Sequence, residues 1–185
     1  GFGESFITSI KVSFIAGFIL SFPYVFWEIW KFISPGLYKK EKRATRGIVL
    51  ICSILFLIGV LFGYFVIAPF AVNFLAGYQI PGVENSPTLN SFITYMVMFT
   101  APAGLIFELP IVVYFLSKIG LLTPKIMRTY RRHAIIGILI LAALITPPDV
   151  VTQFLIGIPL FILYEISIFV SAKVEADQEK EDEDE

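Results

Sequence analysis

Few residues in this chain could carry chemistry, and they sit in unusual places. Glu108 lies in Ile106-Phe107-Glu108-Leu109-Pro110, inside an otherwise apolar stretch. A carboxylate in hydrocarbon costs several kcal/mol, so it faces a bundle interior or a wet cavity. Two readings follow: a structural carboxylate bonded to a neighbouring helix, or a polar docking position. Gln153 is a second polar side chain at apolar depth, and Glu165 stands near the far end of the same stretch. Asp149 follows Thr146-Pro147-Pro148. It can cap the next helix by accepting from its free N–H groups, or it can serve recognition at that face. Glu41 is one acid among the bases Lys39, Lys40, Lys42, Arg43 and Arg46. It either balances local charge or pairs with a guanidinium ligand in bidentate geometry.

Enzyme chemistry finds no footing. Cys52 is the only cysteine and His133 the only histidine, too few for an ordinary zinc site. No phosphate loop, nucleophile elbow or catalytic triad is present in the sequence. Neither a metal nor a cofactor is expected, and nothing points to nucleic acid.

The elements that must position these residues are membrane spans. Of the 185 residues, 57% are hydrophobic and 16% charged; the mean hydropathy is +0.82. That balance belongs to the membrane class. Five apolar stretches cover about residues 6–33, 48–75, 89–116, 134–145 and 150–170. About 20 apolar residues cross a hydrocarbon core of about 30 Å. The stretch Ala134 to Ile145 is shorter, about 18 Å as a helix. Pro23, Pro102, Pro110 and Pro159 predict kinks within spans, because neighbouring helices can satisfy the freed backbone groups. The expected fold is all-α: a polytopic transmembrane bundle of kinked helices forming a concave cup. Residues 1–174 form one membrane domain, and the acidic run 175–185 is expected to be a disordered cytoplasmic tail. Gly59 and Gly63 form a G-x-x-x-G pattern suited to close helix approach, more often within a molecule than between copies. Trp27, Trp30, Tyr24 and Tyr38 suggest an interfacial belt, and Ser34-Pro35-Gly36 a turn.

Orientation follows from the loops. Lys31 to Arg46 and Lys118 to Arg132 are basic, whereas 76–88 and 146–149 contain no Lys or Arg. The positive-inside rule places both basic loops and the C-terminus in the cytoplasm. Lys11 departs from the pattern and is expected to snorkel. The chain starts at Gly1 without a basic leader, and an N-out start of this kind predicts that a preceding span belongs to the complete protein.

Four elements then resemble the TatC family in order and spacing. They are Trp30-Lys31-Phe32-Ile33-Ser34-Pro35-Gly36-Leu37-Tyr38 with Glu41 and Arg43; Phe107-Glu108-Leu109-Pro110; Thr146-Pro147-Pro148-Asp149-Val150 with Gln153; and Pro159 with Tyr164-Glu165-Ile166. The match runs from the family's second span to its sixth. The resemblance implies five spans of six, and a non-enzymatic receptor of the twin-arginine translocation system in the bacterial inner membrane. Its implied partners are twin-arginine signal peptides of folded cargo, single-span TatA and TatB-type proteins, the bilayer and further copies of the subunit. It implies signal-peptide binding by Glu41, Phe32, Leu37 and Tyr38, and partner-helix docking at Glu108 and Gln153. The family's N-terminal segment, with its His-Leu and Glu-Leu-Arg pattern, is not in this sequence. The competing reading is a proton- or cation-coupled solute transporter using Glu108; no inverted repeat supports it.

Overall fold

The computed structural model describes residues 2–37, 42–77, 88–145 and 150–183. Every regular element among them is helical. The order is α1 (Phe2–Leu37), α2 (Lys42–Phe62), a π-helical turn (Gly63–Ile67), α3 (Ala68–Gly77), α4 (Leu89–Ile106), α5 (Leu109–Lys118), α6 (Pro124–Thr129), α7 (Arg131–Ile145) and α8 (Val150–Glu183). Four segments are long and apolar enough to cross a membrane: Gly3–Phe32, Gly47–Gly77, Asn90–Lys118 and Val150–Lys180. The protein is thus a multi-pass membrane protein. Helix α7, 15 residues long, reaches only about 22 Å.

The core is made where small residues let backbones approach. A Cβ added at Gly59 would lie 2.7 Å from the Ala103 carbonyl oxygen and 2.9 Å from Gly104 Cα. One at Gly63 would lie 2.8 Å from Thr100 Cα. The G-x-x-x-G stripe of the second span therefore seats α2 and its π-turn directly on α4, within one molecule. Ala68, Ala71, Phe99 and Ala103 join Ile138 and Ala142 of α7 and Ile156 and Leu160 of α8 in the main apolar cluster.

Proline decides the break in the third span. Pro110 has no N–H to give the Ile106 carbonyl, and its ring clashes with a continuing turn. Helix α4 accordingly stops at Ile106 and α5 restarts at Leu109, with Pro110 in its first turn. The Glu108 N–H bonds the Leu105 carbonyl at 3.1 Å, closing a tighter i→i−3 turn between them. Pro102 and Pro159, by contrast, lie inside continuous helices. At the other end of α5, Gly120 takes φ +75°, and Leu121 N–H bonds the Leu116 carbonyl at 2.9 Å. This glycine cap reverses the chain into α6, whose N-cap Thr123 accepts from Ile126 N–H at 3.3 Å.

Three expectations change. Helix α1 continues through Ser34-Pro35-Gly36 to Leu37; a proline in the last turn removes one backbone bond and leaves the earlier turns intact. Trp30 is not an interfacial belt residue: it is 1% exposed, with its ring 4.7 Å from that of Phe115 on α5. The acidic stretch from 175 is helical as far as Glu183 rather than disordered. Ala, Glu, Gln and Lys are strong helix formers. Val174 is buried, and the Gln178 side-chain amide donates to the Lys118 carbonyl at 3.0 Å, tying the extension to the end of α5.

Candidate functional site: an intramembrane carboxylate and its surroundings

Glu108 sits at the α4–α5 break, where backbone N–H and C=O groups are bent out of the regular helical ladder. It is 7% exposed. Its carboxylate faces Cys52 and Phe56 of α2, and Cys52 is itself fully buried. The thiol approaches the carboxylate without completing a hydrogen bond: neither carboxylate oxygen has a hydrogen-bond partner among the described residues. A buried carboxylate left in this state is costly by several kcal/mol. The neighbouring Phe107, Pro110 and Ile111 line an apolar cavity of about 390 Å³ that opens between α2, α5 and α8, with Ile48, Ile51 and Leu163 on its other walls.

Gln153 takes a different partner. It stands in the first turn of α8, and its amide donates to the Leu139 carbonyl of α7 at 3.1 Å. That bond joins the short α7 to α8. Glu108 thus faces α2 and Gln153 is bonded to α7. Glu165 pairs with Arg131 at 2.8 Å. Next to it, Tyr164 donates to the Met127 carbonyl at 2.8 Å, meeting a backbone acceptor left free at the α6–α7 break.

The residues expected near the first connection are distributed differently. Phe32 lies on α1 and is 88% exposed, and Leu37 is the last residue of that helix. Tyr38 and Glu41 fall in the four residues that separate α1 from α2, and they lie outside the described residues, as does Asp149. Lys11, the basic residue on the expected outer side, is met by α4: its ammonium donates to Asn90 Oδ1 and Thr94 Oγ1, each at 3.2 Å.

Sequence reasoning missed Ser117 and Ser171. Their hydroxyls bond at 2.8 Å between α5 and α8, fully inside the protein. A small polar residue on each of two facing spans was the available signal. The described residues contain no group of three or more His, Cys, Asp or Glu that could hold a metal.

The described residues make a polytopic all-helical membrane protein with a sealed carboxylate and interhelical polar ties. The family is settled by comparison. The family model described as Sec-independent protein translocase protein (TatC) matches residues 1–159. A protein named Sec-independent protein translocase protein TatC from Desulforapulum autotrophicum is 40% identical over 185 residues, spanning all of this chain and 68% of its own length. One of the same name from Helicobacter pylori is 39% identical over 171 residues, 92% of this chain and 68% of that protein. A crystal structure of the twin arginine translocase receptor TatC superposes with a TM-score of 0.73 at 39% identity, covering 90% of this chain and 74% of that one. This chain belongs to the TatC family of protein translocase components. The solute-transporter reading yields to that of a translocase receptor subunit.

Proposed function

We propose that this chain serves as the signal-peptide receptor core of a twin-arginine translocase in the bacterial inner membrane, with its C-terminus in the cytoplasm and without catalytic chemistry of its own. The observation that carries this reading is the likeness to the solved twin arginine translocase receptor across 90% of the chain. Orientation rests on the two basic loops.

The connection between α1 and α2 is the proposed peptide site. It spans only residues 38–41, so Glu41 stands immediately before the first residue of α2. Its carboxylate is proposed to pair with a guanidinium of the peptide's arginine pair, with Phe32, Leu37 and Tyr38 beside the peptide. Asp149 is proposed to cap α8 at the opposite face.

Glu108 and Gln153 are the proposed docking positions for single-span TatA and TatB-type partners. The geometry adds a condition: Glu108 is closed in by α2, so a partner's polar side chain reaches it only when the contact between α2 and the α4–α5 break loosens. Gln153 must likewise release the Leu139 carbonyl.

The test is site-specific crosslinking in membranes containing the full-length protein. Glu41→Ala should weaken capture of a twin-arginine peptide and leave protein level unchanged. Glu108→Ala should lower partner crosslinking and spare the peptide. Unaltered peptide capture by Glu41→Ala rejects the role of that loop. Equal loss of both crosslinks with Glu108→Ala identifies a folding defect instead.

A further inference from the structure

The apolar groove beside the α4–α5 break has a length and a direction. It runs along α2 from Ile58 to Ile48, along the α4–α5 side from Phe107 to Tyr114, and along α8 from Leu163 to Val170. Ile111 and Leu163 are buried, whereas Ile51 and Ile166 are 48% and 46% exposed, so the groove is open along one side. From Ile58 to Ile48 the axis covers about 15 Å, half of a hydrocarbon core of about 30 Å. The groove is therefore one leaflet deep. Spread over that length, its volume of about 390 Å³ leaves a cross-section of about 26 Å², against roughly 80 Å² for a helix about 10 Å across. An extended hydrocarbon chain fits where a spanning helix does not.

The end of the groove away from the break is charged. Val113 packs with Ile168, and Ser117 donates to Ser171 at 2.8 Å, so α5 and α8 run side by side in the same direction. Lys118 follows Tyr114 by four residues, and Lys173 follows Val170 by three and Ile166 by seven. Each lysine thus continues the groove side of its helix, and the Ser117–Ser171 bond brings the two to nearly one level. Asp177 lies a further turn out on the same side of α8, about 6 Å beyond Lys173. Lys173 and Asp177 are both exposed, and among the described residues neither is in an ion pair.

We propose that this groove holds one acyl chain of phosphatidylethanolamine, with the lipid's phosphate at Lys118 and Lys173 and its ammonium at Asp177. The order of charges matches: outward from the hydrocarbon the headgroup presents phosphate and then ammonium, and the protein presents lysines and then a carboxylate. The ammonium N–H groups donate charge-assisted hydrogen bonds to Asp177. A choline headgroup has no N–H to donate, and a glycerol headgroup brings no cation.

The test uses the full-length protein in nanodiscs of equal phosphatidylethanolamine, phosphatidylglycerol and phosphatidylcholine, reading retained lipid by native mass spectrometry. The parent should retain phosphatidylethanolamine over both others. Lys173→Gln should lower that retention about fivefold. Asp177→Asn should shift the preference toward phosphatidylglycerol about twofold. Ile166→Trp fills the groove from its open side and should lower retention of all three lipids. A parent without preference, or Lys173→Gln retaining phosphatidylethanolamine as the parent does, would overturn the proposal; both readings stand even if Ile166→Trp does not fold. So would Ile166→Trp folding and retaining lipid like the parent. A photocrosslinker at Ile166 that captures a single-span protein in place of lipid would overturn it in favour of a helix.

Discussion

Helices α1 and α4–α5 both cross the membrane, but they are held in opposite ways. In the span Gly3–Phe32, 11% of the most apolar window is buried within the protein; in Asn90–Lys118 it is 50%. Helix α4 is gripped by close backbone approach at Gly59 and Gly63, and by the Phe56 and Val60 side chains seated against Gly104. Helix α1 is held at three points. Lys11 and Thr8 meet Asn90 at one end, Phe22 stacks on Phe56 with ring centroids 3.6 Å apart in the middle, and Trp30 meets Phe115 at the other end. The rest of α1 presents Phe6, Phe14, Leu20 and Tyr24 outward. A membrane helix therefore need not pack continuously. Lipid is as good a solvent for leucine as another helix is, so association rests on close packing and on polar ties.

This comparison can be broken most sharply at a glycine. Gly59→Leu should destabilise the bundle by about 3 kcal/mol, because the new side chain meets backbone that cannot swing aside. Gly17→Leu on α1 has nothing within 4 Å of its added Cβ and should leave thermal unfolding in micelles nearly unchanged. Equal losses at the two sites would erase the distinction between gripped and tethered helices.

A second effect runs in the opposite direction. Glu108→Met replaces an unpartnered carboxylate with an apolar side chain of similar volume. It should raise stability by about 1–3 kcal/mol, while export falls if the carboxylate serves docking. A drop in unfolding temperature would show that Glu108 holds the α4–α5 break together.

Severing the polar tether comes next. Lys11→Met removes donors to Asn90 and Thr94 and should cost about 1 kcal/mol. Cysteines placed at the Gly3 end of α1 should then label faster, whereas those near Trp30 should not. Uniform labelling along α1 would mean that the stack at Phe22 alone positions the helix. The smallest change is expected at Arg131–Glu165, whose side chains are 47% and 29% exposed. A double-mutant cycle with Arg131→Gln and Glu165→Gln should return about 0.5 kcal/mol, and less at high salt.

The two basic connections, the short α7 and the break at Pro110 were legible from residue types alone, as was the family, from Trp30 to Tyr38, Phe107 to Pro110 and Thr146 to Gln153. The burial of Trp30 was not legible, because a tryptophan near a span end reads equally as belt or core until Phe115 is found opposite it. Nor was the division between Glu108 and Gln153. Both read as intramembrane polar groups, and only the packing sends one to Cys52 and Phe56 and the other to the Leu139 carbonyl. The acidic end of α8 was misread because charge density argued for solvation, while Val174 is buried and Gln178 ties the helix to the end of α5.

The division has one physical cause. Bilayer thickness and charge asymmetry act on each segment separately, so span positions, loop sides and a short fourth stretch are properties of the linear sequence. Which face of a span meets another helix is different. In water, an amphipathic stripe advertises the buried face. In a membrane, both faces are apolar, and hydropathy contains no such contrast. The seating of Gly59 on Ala103 and the closing of α2 over Glu108 were settled only when the helices came together.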